Sequence, residues 1–109
     1  MAAKLNKIQI IGRLGKDPEM SFRGKDADLA VTKMSVAANR KRDKDVTDWF
    51  NVVAFGQAAE FANQYGSKGR LVYIEGEMRN NRWEDEDGKT RDWWEIAVDN
   101  FQFLDYVEE

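Results

Sequence analysis

The sequence predicts one all-β domain with a single short helix, arranged as a small five-stranded barrel. Runs with apolar residues at every second position recur along the chain, and Gly, Asp and Asn separate them. Only the stretch after Gly56 is rich in residues that favour a helix. At 109 residues the chain has the length of one domain. We expect this domain over residues 1–105 and a frayed end over residues 106–109.

The first two predicted strands lead into a basic loop. The first covers about residues 4–14, and alternate positions from Ile8 to Leu14 are apolar or Gly. We expect Gly12 and Gly15 to permit the bending that a tight barrel requires. After "GKDPE", a second run at about residues 29–39 alternates in the same way and ends at "NRKRDK".

The third predicted strand, "TDWFNVVAFG", carries apolar residues on both faces. Alternation gives one face to Trp49, Asn51, Val53 and Phe55, and the other to Phe50, Val52 and Ala54. Either this strand is buried on both sides or one aromatic face is exposed for binding. The alternation alone leaves both interpretations open.

A short helix and two long strands complete the predicted fold. The helix lies in "QAAEFANQYGSKG" and ends at Gly66 or Gly69. A fourth strand at about residues 70–83 is long enough to extend beyond the core. The turn "EDEDGK", with Gly88 at positive φ, leads to a fifth strand at about residues 91–104. Three strands, a helix and two strands is the order of the OB-fold, a Greek-key barrel.

Aromatic residues are frequent for so polar a chain, with four Trp and six Phe. The adjacent Trp93 and Trp94 lie on the fifth predicted strand, so we expect one of them to point inward. Trp83 lies in a polar hairpin, where burial is difficult. The aromatic residues therefore include candidates for an exposed binding surface.

The composition excludes most catalytic chemistry. The chain has no Cys and no His, which removes disulfides, thiolate nucleophiles, the common zinc ligand sets and imidazole-dependent triads. We therefore expect no enzyme activity, no catalytic residues, no metal and no cofactor. No signal peptide or run of apolar residues long enough to span a membrane is present, so we expect a cytoplasmic protein without membrane contact.

The charge balance argues against indiscriminate nucleic-acid binding. Lys and Arg number 17 against 20 Asp and Glu, so the net charge is −3. Positive charge nevertheless collects at residues 39–44 and negative charge at residues 84–87. The distribution of charge therefore matters more than its sum.

Four segments, in order along almost the whole chain, are similar to those of one family. The segments are "NKIQIIGRLGKDPE" at 6–19, "DWFNVVAFGQAAEFANQYGSKG" at 48–69, "VYIEGEMRNNRW" at 72–83 and "GKTRDWWEIAV" at 88–98. With these segments the chain resembles the single-stranded DNA-binding proteins of bacteria and phages. The resemblance implies an OB-fold and non-catalytic, sequence-independent binding of single-stranded DNA in replication, recombination and repair. It also implies a homotetramer in most members, associated with the nucleoid.

The resemblance also assigns roles to individual residues. Matching the family's motifs residue by residue gives base stacking to Trp49, Phe55 and Trp83. Two of these, Trp49 and Phe55, are the aromatic residues that alternation places together on one face. Cations that follow the phosphates complete such a surface. The candidates for phosphate contact are Lys7, Arg13, Arg40, Lys41, Arg42, Arg79 and Arg82.

The sequence departs from the family pattern at four places. The loop after the second predicted strand has Arg40, Lys41 and Arg42 where many members have a further stacking Trp. Phe50 stands where the best-known pattern has a His at subunit contacts, and "DWW" at 92–94 is bulkier than usual. The given sequence ends at "LDYVEE", before the acidic tail that recruits other enzymes in typical members. Either the natural protein lacks this tail or its chain continues, and we expect no tail-mediated recruitment from the chain as given.

One alternative function remains at this point. An OB-fold replication accessory factor of the primosomal type would act mainly through protein partners. The intact aromatic set on one face favours direct binding of the single strand over this alternative.

Overall fold

The computed structural model describes residues 4–105. The predicted frayed end at 106–109 lies outside the described residues. Within residues 4–105, no helix is long and apolar enough to cross a bilayer. The elements are β1 (Ile8–Leu14), β2 (Glu19–Arg23), β3 (Leu29–Asn39), β4 (Thr47–Phe55), α1 (Gln57–Tyr65), β5 (Leu71–Glu84) and β6 (Thr90–Phe103).

Five of the strands close into a ring. The order β1, β5, β6, β4, β3 returns to β1, because Arg13 and Leu14 at the end of β1 pair with β3. The only parallel contact in this ring joins β4 to β6, where Val53 pairs with Ala97. This order is that of the predicted OB-fold, a five-stranded Greek-key barrel.

The strand β2 is a correction to the prediction of five strands. The chain breaks after β1, as "GKDPE" indicates, but resumes as a strand that pairs with β3, with Met20 opposite Thr32. Only Met20 of this strand packs against the core, and its other residues are exposed. A strand with one partly buried side chain has too weak an alternation to be recognised in the sequence.

The barrel interior contains the rows that alternation predicts to be apolar. Val36, Val52 and Ile74 are almost completely buried, and Phe50 packs against them. The helix α1 covers one end through Ala59 and Ala62. The buried hydroxyl of Thr32 donates a hydrogen bond to the carbonyl of Ala59 at 2.7 Å, which ties α1 to β3. As predicted for one of two glycines, α1 ends at Gly66.

The strands β5 and β6 form a hairpin that extends beyond the barrel. They pair from Val72 to Glu84, and the side chains near the turn are mostly exposed. Gly88 in the turn has a φ of 77°, as predicted. The prediction for the adjacent tryptophans is wrong, because Trp93 is 46% exposed and Trp94 is 54% exposed. This part of the hairpin extends beyond the barrel, so neither of its faces packs against the core.

Candidate nucleic-acid interface

The outer face of β4 presents aromatic side chains to solvent. Trp49 is 61% exposed and Phe55 is 36% exposed, whereas Val52 and Ala54 on the other face are buried. Between the two aromatics, Val53 is buried with Val31 and Ala97 in a small cluster on the outer face. The predicted division of β4 into two faces is therefore confirmed. The second interpretation, an exposed aromatic row, describes this strand.

The indole of Trp49 lies against the backbone of Gly15. A Cβ atom on Gly15 would be 2.4 Å from Cζ3 of Trp49, far closer than carbon atoms can approach. The missing side chain of Gly15 therefore makes room for the indole, and the role of this glycine in bending stays a prediction. A Cβ on Gly12 would instead meet the backbone oxygen of Ala37 at 2.4 Å, so Gly12 permits a close approach of strands.

A positively charged side chain lies beside Trp49. A groove of about 360 Å³ runs from β1 to the start of β4, and both Arg13 and Trp49 line it. The guanidinium of Arg13 donates a hydrogen bond from Nη1 to the carbonyl of Gly69 at 3.0 Å. A carbonyl does not neutralise the guanidinium, so Arg13 keeps its charge next to an exposed indole.

The third predicted stacking residue lies on the hairpin. Trp83 is 48% exposed near the turn. It pairs across the ladder with Arg91, while Asn81 pairs with Trp93. Because alternate residues of a strand share a face, Trp83 and Asn81 lie on one face together with Arg91 and Trp93.

Trp93 is the functional candidate that the sequence reasoning did not assign. Its Nε1 donates a hydrogen bond to Oε2 of Glu95 at 3.3 Å, and Asn81 donates one to Oε1 of the same carboxylate at 2.9 Å. Alternation from the outward-facing Ala97 would have placed Trp93 on the outer face. The sequence did not show that Trp94, on the opposite face, would also be exposed.

The cations predicted to contact phosphate differ in their surroundings. Four of the seven already contact a carboxylate, and these pairs are Lys7 with Glu75 at 3.3 Å, Arg40 with Asp48 at 3.1 Å, Arg79 with Glu77 at 2.8 Å and Arg82 with Asp92 at 2.9 Å. Within residues 4–105, Arg13, Lys41 and Arg42 form no ion pair. Arg82 also lies on the face of the hairpin opposite Trp83, since the two residues are adjacent on β5.

In two of these ion pairs, the pKa of one member is shifted. A hydrogen bond from the hydroxyl of Tyr73 and the contact with Lys7 lower the pKa of Glu75. A hydrogen bond to Asp48, and the negative charge of that carboxylate, raise the pKa of Arg40. Glu75 and Arg40 therefore keep their charges near neutral pH, and a phosphate would have to compete with a carboxylate for Lys7 and for Arg40.

The described residues offer no arrangement for metal chemistry. No group of three or more Asp and Glu side chains within residues 4–105 is placed to hold a metal ion. What these residues do bring together is an exposed aromatic surface with cations beside it. Such a surface can stack on unpaired bases and contact phosphates.

Comparisons with known proteins agree with this geometry. The model of the single-strand binding protein family matches residues 5–104. The chain is 38% identical over 101 residues to a single-stranded DNA-binding protein of Clostridium perfringens, covering 93% of this chain and 67% of that protein.

Two further relatives cover a similar share of the chain. A single-stranded DNA-binding protein of Thermotoga maritima is 42% identical over 106 residues, covering 92% of this chain and 74% of that protein. Single-stranded DNA-binding protein 1 of Xylella fastidiosa is 36% identical over 108 residues, covering 94% of this chain and 79% of that protein. The chain therefore belongs to the single-strand binding protein family.

Proposed function

We propose that this protein binds single-stranded DNA without reading its sequence and protects it during replication, recombination and repair. The observation that carries the proposal is the exposed aromatic row on the outer face, with Trp49 and Phe55 on β4 and Trp83 on the hairpin. Every base has a flat face, so stacking on such side chains does not depend on sequence.

In the proposed mechanism, stacking supplies most of the affinity. Replacing such an aromatic residue by Ala typically costs about 1–3 kcal/mol per base. Arg13, Lys41 and Arg42 contact the phosphates, because these three candidates have no carboxylate partner within residues 4–105. A duplex binds poorly because its bases are already stacked on one another.

We infer that the protein acts by binding alone, without catalysing a reaction. Its work would be done in the cytoplasm at the nucleoid, where single-stranded DNA arises. The exposed aromatic row supports direct binding over the alternative of an accessory factor that acts through protein partners.

We also propose that the protein forms a homo-oligomer, a homotetramer if it follows most members of its family. One edge of β1 pairs with β5. On its other edge, within the part of the chain that the structure describes, only Arg13 and Leu14 pair, with β3. An unpaired strand edge is a template for pairing with another chain, and the nearby Ile11 is 59% exposed. Sedimentation equilibrium tests this proposal, and a monomer at all concentrations would contradict it.

Titration with oligo(dT), followed by intrinsic Trp fluorescence, tests the proposed function. We expect strong quenching by the single strand, because bases that stack on indoles quench them, and little quenching by a duplex of the same length. The duplex is the control for contact through phosphates alone. Absence of quenching by oligo(dT) at low salt would reject the stacking mechanism.

A further inference from the structure

We propose that Trp93 is a fourth stacking residue of the single-stranded DNA surface. This proposal rests on the proposed function and deepens it, because it assigns a base to a residue on β6. The loop after β3 carries three cations at residues 40–42 and no aromatic side chain. Because that loop has no aromatic ring, a further stacking residue has to lie elsewhere. Trp93 has a flat side chain and lies on the same side of the molecule as Trp49 and Trp83.

The registers of the strands place Trp93 between Trp49 and Trp83. Trp83 pairs with Arg91, so Trp93 is its diagonal neighbour on the same face, where such neighbours are about 7–8 Å apart. On the other side, Val53 of β4 pairs in parallel with Ala97 of β6. The ladder between these two strands ends at Val52 and Ile96, and beyond it Trp49 and Trp93 line one groove.

The surroundings of Trp93 fit a nucleotide on each side. Trp49 and Trp93 line the same groove, whose volume is about 420 Å³ and which Trp94 also lines. On its other side Trp93 lines a second groove of about 250 Å³. In this second groove Lys16 pairs with Glu19 at 3.7 Å, whereas Lys33 forms no ion pair within residues 4–105. An aromatic ring between two open grooves, one of them with cations, suits a base and its phosphate.

A hydrogen bond fixes the indole in this position. Nε1 of Trp93 donates to Glu95, whose carboxylate also accepts from Asn81 on β5. The ring edge is therefore held, while 46% of the residue stays exposed. A flat side chain that is already positioned loses little conformational entropy when a base stacks on it.

The neighbouring Trp94 provides a matched control. It is adjacent in sequence, of the same residue type and 54% exposed. It pairs with Asn80, on the opposite face of the hairpin. A strand that stacks on the rings of Trp49, Trp93 and Trp83 follows one face of the hairpin, so the ring of Trp94 on the opposite face serves as the comparison, although Trp94 also lines the groove beside Trp49.

The affinity of the full chain for fluorescently labelled oligo(dT), measured by anisotropy, tests the proposal. We expect Trp93→Ala to raise the Kd by about 5- to 150-fold, the range that loss of one stacked base implies. Trp93→Phe should keep most of the affinity, because it keeps a flat ring. Trp93→Leu should lose affinity like Trp93→Ala, and Trp94→Ala should raise the Kd much less than Trp93→Ala, because its ring lies on the opposite face of the hairpin.

The remaining outcomes separate this proposal from the proposed function. A wild-type Kd in Trp93→Ala or Trp93→Leu, with a raised Kd in Trp49→Ala, would overturn the role of Trp93 and leave the proposed function intact. An equal loss in Trp94→Ala would also overturn it, because the strand would not follow a single face. Circular dichroism checks that each variant is folded. If Trp93→Ala is unfolded, the difference in Kd between Trp93→Phe and Trp93→Leu tests the proposal instead.

Discussion

At the scale of single residues, the exposure and the direction of each tryptophan side chain depend on its position in a strand and on what that strand packs against. Trp49, Trp83 and Trp93 share one side of the molecule, and Trp94 lies on the other, although all four are similarly exposed. A flat ring binds a base only where the strand passes over it. Residues that hold a ring in place therefore matter as much as the ring, and Gly15 is one of them.

Gly15→Ala should weaken single-strand binding through Trp49. The new Cβ would lie 2.4 Å from the indole, so the ring must move, and its stacking geometry with it. We expect a raised Kd for oligo(dT) in this variant. In a Trp49→Ala background the same change should have little further effect, because the ring is already absent. Additive losses in this double-mutant cycle would show that Gly15 acts independently of Trp49.

At the scale of elements, strands with one buried face were predictable and the rest of the chain was less so. In β4, alternation predicts Trp49 on one face and Val52 on the other. The pattern is clear because one face of this strand packs against the core. In β2 only Met20 packs inward, and in the outer hairpin no core exists to decide the faces. Ion pairs such as Arg82 with Asp92 depend on a register between distant segments, which the sequence does not show.

The barrel and the hairpin should respond differently to substitution. Ile74 is completely buried, so Ile74→Ala should reduce the free energy of unfolding by about 2–5 kcal/mol. Trp83→Ala should leave the unfolding midpoint close to that of the wild type and weaken oligo(dT) binding instead, because Trp83 is half-exposed. Urea denaturation and anisotropy on both variants measure the contrast. An unfolded Trp83→Ala would assign this residue to the structural core.

The contact between the end of β6 and the start of β5 should make stability depend on acidity. Asp105 accepts hydrogen bonds from the backbone N–H of Leu71 at 3.1 Å and from Nε of Arg70 at 3.0 Å. The N–H of Leu71 first, and then Arg70, lower the pKa of Asp105. The bonded carboxylate therefore stabilises the fold above its ordinary pKa of 3.8, and this stabilisation disappears as the pH falls through the lower value of the folded protein.

Asp105→Asn tests this acid dependence. At neutral pH the variant should have a lower Tm than the wild type, because an amide cannot replace both charge-assisted bonds. The difference should narrow as the pH falls below 3.8. Asp99→Asn provides a comparison at an exposed position. A Tm difference that stays constant from neutral to acidic pH would contradict the contribution of the charge.

At the scale of the whole molecule, a net charge of −3 has to be reconciled with a polyanionic ligand. Within residues 4–105, ion pairs engage seven of the 17 Lys and Arg side chains. These pairs include four of the seven candidates for phosphate contact. Stacking is a contribution that net charge does not oppose. The relative contributions of stacking and of charge to binding can therefore be measured from how the binding constant changes with salt concentration.

The dependence of binding on salt should be modest. For single strands, each phosphate contact contributes roughly −0.7 to the slope of log Kobs against log salt concentration. If only Arg13, Lys41 and Arg42 contact phosphates, the slope for a short oligo(dT) that occupies one subunit should be about −2. If all seven candidates contribute, it should be about −5. Arg13→Ala should reduce the slope, whereas Arg82→Ala, on the far face of the hairpin, should not. A slope near −5 would mean that the DNA displaces the carboxylates from their cations and that the ion pairs open on binding.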